Sequence, residues 1–448
     1  MSTAAASPLD LLGDLHDLRG RSLRWTPVLL LVYIVWVFFI IEPHWFLGIQ
    51  PLKKIPLLLF PAVLAIGLLY APRHTWYWPL MGFVVLNLAH VPFAPNVTLA
   101  KKAAQHVFYL YALLLLTIAI LTTARRIALL LRMYLVHFGW YGLQGIPSGT
   151  VAWHSILNNP DSFGPLMVIG IGFSYYWGMG SRTRWGRWAG LCLSLLCVVG
   201  VVASFARGAV IAAGVVLLAI WWKSPRKMAT AIGGGLLLTA VIVAAGVLFP
   251  QGAFWSEMQT IGEGTDTGTT GDRWELWKVG FNVFAQNPIV GVGPENCGVW
   301  ASQNYSFGQA GSVYANPSRL WGRSLHNVYV QLFCETGIVG SFFWFAMLID
   351  FYRRIRRLKR PEAREVWTRL APSLPDLRAL ATAFELAMIG YLASAPFYGQ
   401  LYPHWFYTQV IVILAIDRLV EKSLSRVRER RMALRERLTR GPADSATT

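Results

Sequence analysis

The feature that most constrains this chain is the recurrence, along nearly its whole length, of apolar stretches long enough to cross a lipid bilayer. A helix needs roughly 17 to 25 apolar residues to span a hydrocarbon core of about 30 Å. About twelve such stretches are present: 25–42, 55–71, 76–92, 105–122, 127–144, 163–179, 187–204, 207–222, 229–249, 327–350, 379–397 and 403–420. Arg132 interrupts the fifth. Hydrocarbon offers the backbone no hydrogen-bonding partner, so each stretch reads as a helix and the expected class is all-α, a polytopic protein of about twelve transmembrane helices. The residues are 55% hydrophobic and 14% charged, whereas soluble domains are about 25% charged, which argues against an ordinary soluble enzyme. The first stretch does not read as a cleaved signal peptide, because Asp10, Asp14 and Asp17 precede it and Glu42-Pro43-His44-Trp45 follows it. It is expected to stay as an anchor.

The net charge of +18 has to be located before it is interpreted. With the N-terminus placed on the inner side, thirty Lys and Arg fall on inner segments, among them nine from Arg353 to Arg378 and nine from Arg418 to Arg440, and nine fall on outer segments. That bias orients both termini inward. The basic balance then marks topology and attraction to anionic inner-leaflet lipid, and no nucleic-acid partner is expected. From Arg418 to Arg440 the basic residues alternate with Leu and Val, as in a solvated or membrane-surface helix. The chain divides into a membrane bundle over 1–249, a large outer segment over 250–325, and 326–448 with the last three stretches and the basic tail. The large segment is rich in Gly, Thr, Ser, Asn, Trp and acids, and chemistry is expected on its side of the membrane.

Three features there can carry chemistry. In SFARGA, Ser204 to Ala209, Arg207 sits at the tight connection between two apolar stretches. A charge at the bilayer edge either faces a functional cavity or snorkels to lipid phosphate, and both readings are open. In DRWELWKVGFNVF, Asp272 to Phe284, the spacing of Trp274, Trp277, Phe281 and Phe284 predicts one apolar helix face. Asp272 and Glu275 resemble a capping box, which would put Arg273 at the first helical position, where an anion could be held by the helix start and the guanidinium together. The alternative is a solvent-facing Arg273 paired with a nearby acid. The third feature, HNVYVQLFCETGIVG, begins with His326, an imidazole suited to general-base work near neutral pH or simply an interfacial anchor. Glu335 lies nine residues on, about 13 Å deeper along a continuous helix and near its opposite face, so a packing role suits it better than orienting His326.

No HExxH pair, zinc-spaced Cys/His cluster, phosphate-binding Gly-Lys-Ser/Thr loop or outer Asp-x-Asp pair occurs, so no metal site and no cofactor is expected. Of the four cysteines, Cys192, Cys197 and Cys334 lie in apolar stretches and Cys297 stands alone in a polar one. Redox chemistry is not indicated.

Taken together, NPIVGVGPENC (Asn287 to Cys297) followed by HNVYVQLFCETGIVG, with SFARGA and Asp272-Arg273-Trp274 upstream, resembles the bacterial O-antigen ligase and O-antigen polymerase superfamily. The resemblance covers about Cys192 to Gly340. An earlier segment, Asn159-Pro160-Asp161, departs from the Asn-Pro-Asn of many relatives, and no role is carried over to Asp161. The resemblance implies one large periplasmic loop with short amphipathic helices. It also implies an active site at the periplasmic face of the bacterial inner membrane, where a glycan moves from undecaprenyl pyrophosphate to an acceptor. His326 would take the acceptor proton, Arg207 and Arg273 would hold the donor pyrophosphate, and Asn327 and Glu335 would support them. The single large loop favours a ligase that joins O-antigen to lipid A core. Polymerase is the alternative, and a flippase or transporter is a third reading. If the chain is helical from Ser318, Arg319, Arg323 and His326 share a face. With the outer pairs Lys53-Lys54 and Lys101-Lys102, they could dock acceptor phosphates.

Overall fold

The computed structural model describes residues 26–40, 55–72, 77–152, 154, 156–248, 269–304, 316–399 and 401–439. Among these residues every regular element is helical. The α-helices are α1 (Thr26–Ile40), α2 (Ile55–Tyr70), α3 (Trp78–His90), α4 (Val97–Ile120), α5 (Ala124–Gly145), α6 (Pro160–Gly180), α7 (Arg184–Ala203), α8 (Arg207–Lys223) and α9 (Lys227–Leu248). The large polar segment contributes α10 (Thr269–Gln286) and α11 (Cys297–Asn304), and the chain continues through α12 (Val328–Leu358), α13 (Pro361–Leu370), α14 (Leu377–Ser394) and α15 (His404–Thr439). Each of the twelve apolar stretches carries a helix. Among the described residues four segments are long and apolar enough to cross a membrane, Val97–Ile120, Arg184–Ala203, Val328–Leu358 and Leu377–Phe397, and Leu58–Tyr70 and Trp78–Phe93 are shorter apolar helices.

The boundaries follow from local chemistry. Asn96, Thr123, Asn159, Thr183, Asn327 and Asp376 each accept a hydrogen bond from the first turn of the helix they precede, covering backbone donors that have no intrahelical partner. Small residues let the central helices touch. A Cβ on Gly190 of α7 would lie 2.5 Å from the Gly178 Cα of α6, and one on Gly172 would lie 2.6 Å from the Leu386 Cβ of α14. The core continues through α12 and α15, where Trp344 stacks on Phe406 with ring centroids 4.7 Å apart. At the basic end of α12, buried Asp417 accepts from Arg354 Nη1 and Arg357 Nη2, both at 2.6 Å. Part of the basic charge at this end thus ties α12 to α15.

The tenth apolar stretch is not one continuous helix. Gly337, at φ 62 and ψ −163, breaks α12 within its third turn. A break inside a span would strand backbone polar groups, and here the chain from Pro288 to Gly293 satisfies them. Val292 N donates to Cys334 O at 3.0 Å and Gly293 N to Glu335 O at 2.9 Å, while Ile338 N donates to Pro288 O at 2.9 Å and Val339 N to Ile289 O at 3.0 Å. Glycine is required on both sides of this seam. A Cβ on Gly291 would lie 2.4 Å from the Glu335 carbonyl carbon, and one on Gly337 would lie 2.4 Å from Ile289 O.

The large polar segment has its own small core, built on α10, α11 and the start of α12 from Leu276, Val279, Val283, Cys297, Leu320, Val330 and Cys334. The apolar face of α10 differs from the expected aromatic one. Trp277 and Phe284 flank the core, but Trp274 and Phe281 are exposed. Leu and Val pack under the loop while the rings at the outer positions face away from it.

Candidate active site

Three elements meet at the turn that follows α14. The first is the start of α6, where Asn159 Oδ1 accepts from Asp161 N at 2.9 Å and fixes Asp161 in the first turn. The second is α10. Its helix already runs through Thr269 to Asp272, so Asp272 is not an N-cap and Arg273 is the fifth helical residue rather than the first. The expected helix-start anion site therefore does not exist at Arg273. Arg273 instead reaches across the bundle: Nη2 donates to Asp161 Oδ2 at 2.6 Å and Nη1 to Phe397 O at 3.4 Å. The reading of Arg273 as a cation paired with an acid is the one this geometry matches. The third element is the segment leading into α12. Gly322, at φ 65, ends the short 3-10 turn Pro317–Leu320, so Arg319, Arg323 and His326 do not lie on one helix. His326 has φ 49, an uncommon backbone for a non-glycine residue, and its N–H donates to Ser324 Oγ at 3.3 Å. Asn327 then caps α12, its Oδ1 accepting from Tyr329 N at 2.9 Å and Val330 N at 3.2 Å.

His326 Nδ1 stands 3.8 Å from Asp161 Oδ2. That is too long for a hydrogen bond, yet close enough for the carboxylate to favour an imidazolium. Exposures of 28% for Asp161 and 27% each for Arg273 and His326 leave the group reachable by a ligand while removing much of its water. Burial and then the Arg273 cation pull the His326 pKa below its ordinary value, Asp161 works in the opposite sense, and Arg323 adds to the lowering. The net effect is a neutral imidazole, able to accept a proton, at neutral pH.

Arg207 opens α8 behind a turn in which Phe205 has φ 53 and no side chain caps the helix. A cation at the first helical position, expected at Arg273, is thus found at Arg207. Two contacts hold this helix start beside the other elements. A Cβ on Gly164, one turn past Asp161, would lie 2.8 Å from Ser204 Oγ, and one on Gly208 would lie 2.3 Å from Phe397 Cβ. A Cβ on Gly399 would lie 2.8 Å from His326 N. The turn Phe397-Tyr398-Gly399 therefore touches the helix of Arg207, the guanidinium of Arg273 and the backbone of His326. All three non-glycine residues with positive φ among the described residues, Phe205, Glu295 and His326, fall in the motifs singled out from the sequence. Such strain is kept where surrounding contacts enforce it.

Glu335 stands apart from this group. Buried to 3% exposure, it accepts from Glu295 N at 2.9 Å and Tyr402 Oη at 2.8 Å, and from Gln331 Nε2 at 3.3 Å. It joins the outer loop, α12 and the turn before α15. Lys101 and Lys102 are exposed in the first turns of α4, Arg319 and Arg323 are exposed near the site, and Lys53 and Lys54 lie outside the described residues.

Sequence reasoning missed Asp161 and the Phe397–Gly399 turn. The one signal for Asp161 was an acid at the edge of an apolar stretch, where a charge is usually paired, with nothing to name the partner. For the turn it was Pro396 and Gly399 closing an apolar stretch.

Residues 192–345 match the family model described as O-antigen ligase. The chain carries a domain of the O-antigen ligase and polymerase superfamily. No curated protein matches the chain. Arg207, Arg273, His326 and Glu335 lie within the matched residues, and Asp161 and the Phe397 turn lie outside them. With its long apolar helices, the chain is a membrane protein.

Proposed function

We propose that this protein is an O-antigen ligase that transfers polysaccharide from undecaprenyl pyrophosphate to lipid A core. It works at the periplasmic face of the bacterial inner membrane, with about twelve spans and both termini in the cytoplasm. The observation that carries this reading is the meeting of Asp161, Arg273 and His326 beside the start of α8, inside and next to a domain of the matching family. The acceptor hydroxyl attacks the anomeric carbon while its proton passes to His326. The bond from that carbon to the pyrophosphate oxygen breaks, and the negative charge left on the carrier is held by Arg207 and Arg273. With the Nδ1 proton turned towards Asp161, the Nε2 lone pair is the base. Pyrophosphate leaves well without a general acid, and two guanidiniums can supply the charge that a metal supplies elsewhere.

No outer carboxylate is assigned as nucleophile, so one displacement with inversion is expected. Purified protein given undecaprenyl pyrophosphate glycan and lipid A core should join the two with the anomeric configuration inverted. A retained configuration would rule out the single displacement, and elongation of the glycan without attachment to lipid A core would favour the polymerase reading. The candidate groups sit at helix ends rather than mid-span, which weighs against a transporter.

Exposed Arg319, Arg323, Lys101 and Lys102, together with Lys53 and Lys54, are proposed to dock the phosphates of lipid A core. Reversing the charge at Arg319 and Arg323 should raise the apparent KM for lipid A core several-fold and leave that for the donor unchanged. Unaltered acceptor dependence would return these charges to lipid contact.

Asp161→Asn tests the electrostatics of the base. Rate should fall as pH drops through the His326 pKa, because only the neutral imidazole accepts a proton. Removing the one neighbouring charge that raises this pKa should move the acidic limb to lower pH and reduce kcat, since the imidazolium loses its counter-charge. An acidic limb at the wild-type position would separate Asp161 from His326.

A further inference from the structure

Against the small core of α10 and α11 lies a cavity of about 550 Å³, within the span of roughly 300–1,000 Å³ common to small-ligand sites. We infer that it is a subsite for an uncharged sugar ring, belonging either to the glycan being transferred or to the acceptor oligosaccharide. The inference rests on the glycan-transfer reading given above.

The lining decides the chemistry. Phe93 and Trp300 supply aromatic surface, Asn287, Gln303 and Asn304 supply amides, and His90 supplies an imidazole. Among the described residues no Lys, Arg, Asp or Glu lines it, so a phosphate or pyrophosphate finds no counter-charge from them. A ligand dense in hydroxyls needs groups that both donate and accept, which amides do, and flat apolar surface for its C–H faces, which aromatic rings provide. A purely lipidic ligand would leave the amide oxygens of Asn287 and Asn304 and the Gln303 amide facing it unused.

The site is also preformed. Asn287 Nδ2 is fixed on Val283 O at 3.1 Å, Asn304 Nδ2 on Trp300 O at 2.9 Å and His90 Nδ1 on Leu86 O at 3.1 Å. The two walls are joined by a reciprocal tie: Asn96 N donates to the buried Asn296 Oδ1 at 2.6 Å, and Asn296 Nδ2 donates to Asn96 O at 3.2 Å. Groups held in place before binding lose less freedom when a ligand arrives. The cavity is connected to the candidate active site through the chain itself. The first turn of α11 lies against Leu320–Arg323, with a Cβ on Gly298 only 2.6 Å from Leu320 O, and His326 follows three residues after Arg323. Trp300 thus stands two residues from a helix turn packed against the segment that leads into His326.

The test is calorimetric titration of the full-length protein in nanodiscs with two soluble probes. One is the core oligosaccharide released from lipid A, and the other is the O-polysaccharide released from its carrier. One of them should bind, which identifies the source, and it should bind His326→Ala equally well. Phe93→Ala and Gln303→Ala change residues that are exposed, so both should fold. Each should weaken binding about tenfold, the usual effect of deleting a single good hydrogen bond or ring face from a site. The inference is overturned if neither probe binds, if both variants bind like wild type, or if they weaken only the binding of sugar-free undecaprenyl phosphate. Cavity-dependent sugar binding by a protein that transfers no glycan would keep the subsite and discard the ligase reading.

Discussion

His326→Ala should lower the rate of glycan transfer by about 10²- to 10⁴-fold, the range that a general base contributes. The variant should remain folded and inserted. The His326 side chain is part-exposed, and its structural contribution is a backbone with φ 49, held from outside by Ser324 Oγ and by the close approach of Gly399. Alanine would carry the strain of that φ at a cost of about 1–2 kcal/mol, small for a membrane bundle of this size. Size-exclusion behaviour and thermal unfolding in detergent would establish folding, and transfer to lipid A core would be followed by electrophoretic mobility. Loss should appear in kcat, with binding of the undecaprenyl pyrophosphate donor little changed. Transfer at the wild-type rate by the folded variant would remove His326 from the mechanism.

How much of this is legible in the chain differs between fold and site. Periodicity and length locate every apolar helix from α1 to α15, because burial in lipid leaves a long continuous signal in the chain. The break at Gly337 is not legible. In the sequence Gly337 and Gly291 look like ordinary small residues, and only the pairing of Pro288–Gly293 with the open helix gives both glycines their reason. The start of α10 misleads because Asp272 and Glu275 have capping-box spacing, yet the helix begins earlier at Thr269. At the site, Arg207 and His326 are visible as charged or titratable groups at the edges of apolar stretches, and Arg273 as a cation in the large polar segment. Asp161, which meets Arg273 and His326, is not, since 112 residues separate it from Arg273 and nothing in either local sequence records the ion pair. Local chemistry encodes caps and spans, whereas a convergent site is encoded in the packing of helices distant in sequence.

Arg207→Lys and Arg273→Lys should each reduce transfer by about 10²- to 10³-fold, the usual cost of removing one donor aimed at developing negative charge. Lysine keeps the charge and loses the planar fork, so the experiment separates geometry from electrostatics. The two positions should differ in a second respect. Arg273 already spends one donor on Asp161 and another on Phe397 O, so its lysine variant also releases Asp161 beside His326. The Arg273 cation is one of the causes that hold the His326 pKa down, and Asp161 pulls it up. An ammonium set farther back, with Asp161 unpaired, should raise that pKa and move the acidic limb of the rate profile to higher pH. Arg207→Lys should leave the limb where it is, because Arg207 is not among the causes of the shift. Near-normal turnover in either variant would reduce that residue to general charge, and an identical pH profile for both would detach Arg273 from the base. The same two guanidiniums are proposed to do without a metal, so wild-type transfer should persist in EDTA. Complete loss in EDTA with recovery on adding Mg²⁺ would mean that the pyrophosphate charge is neutralised by a cation and that the two arginines serve only to place it.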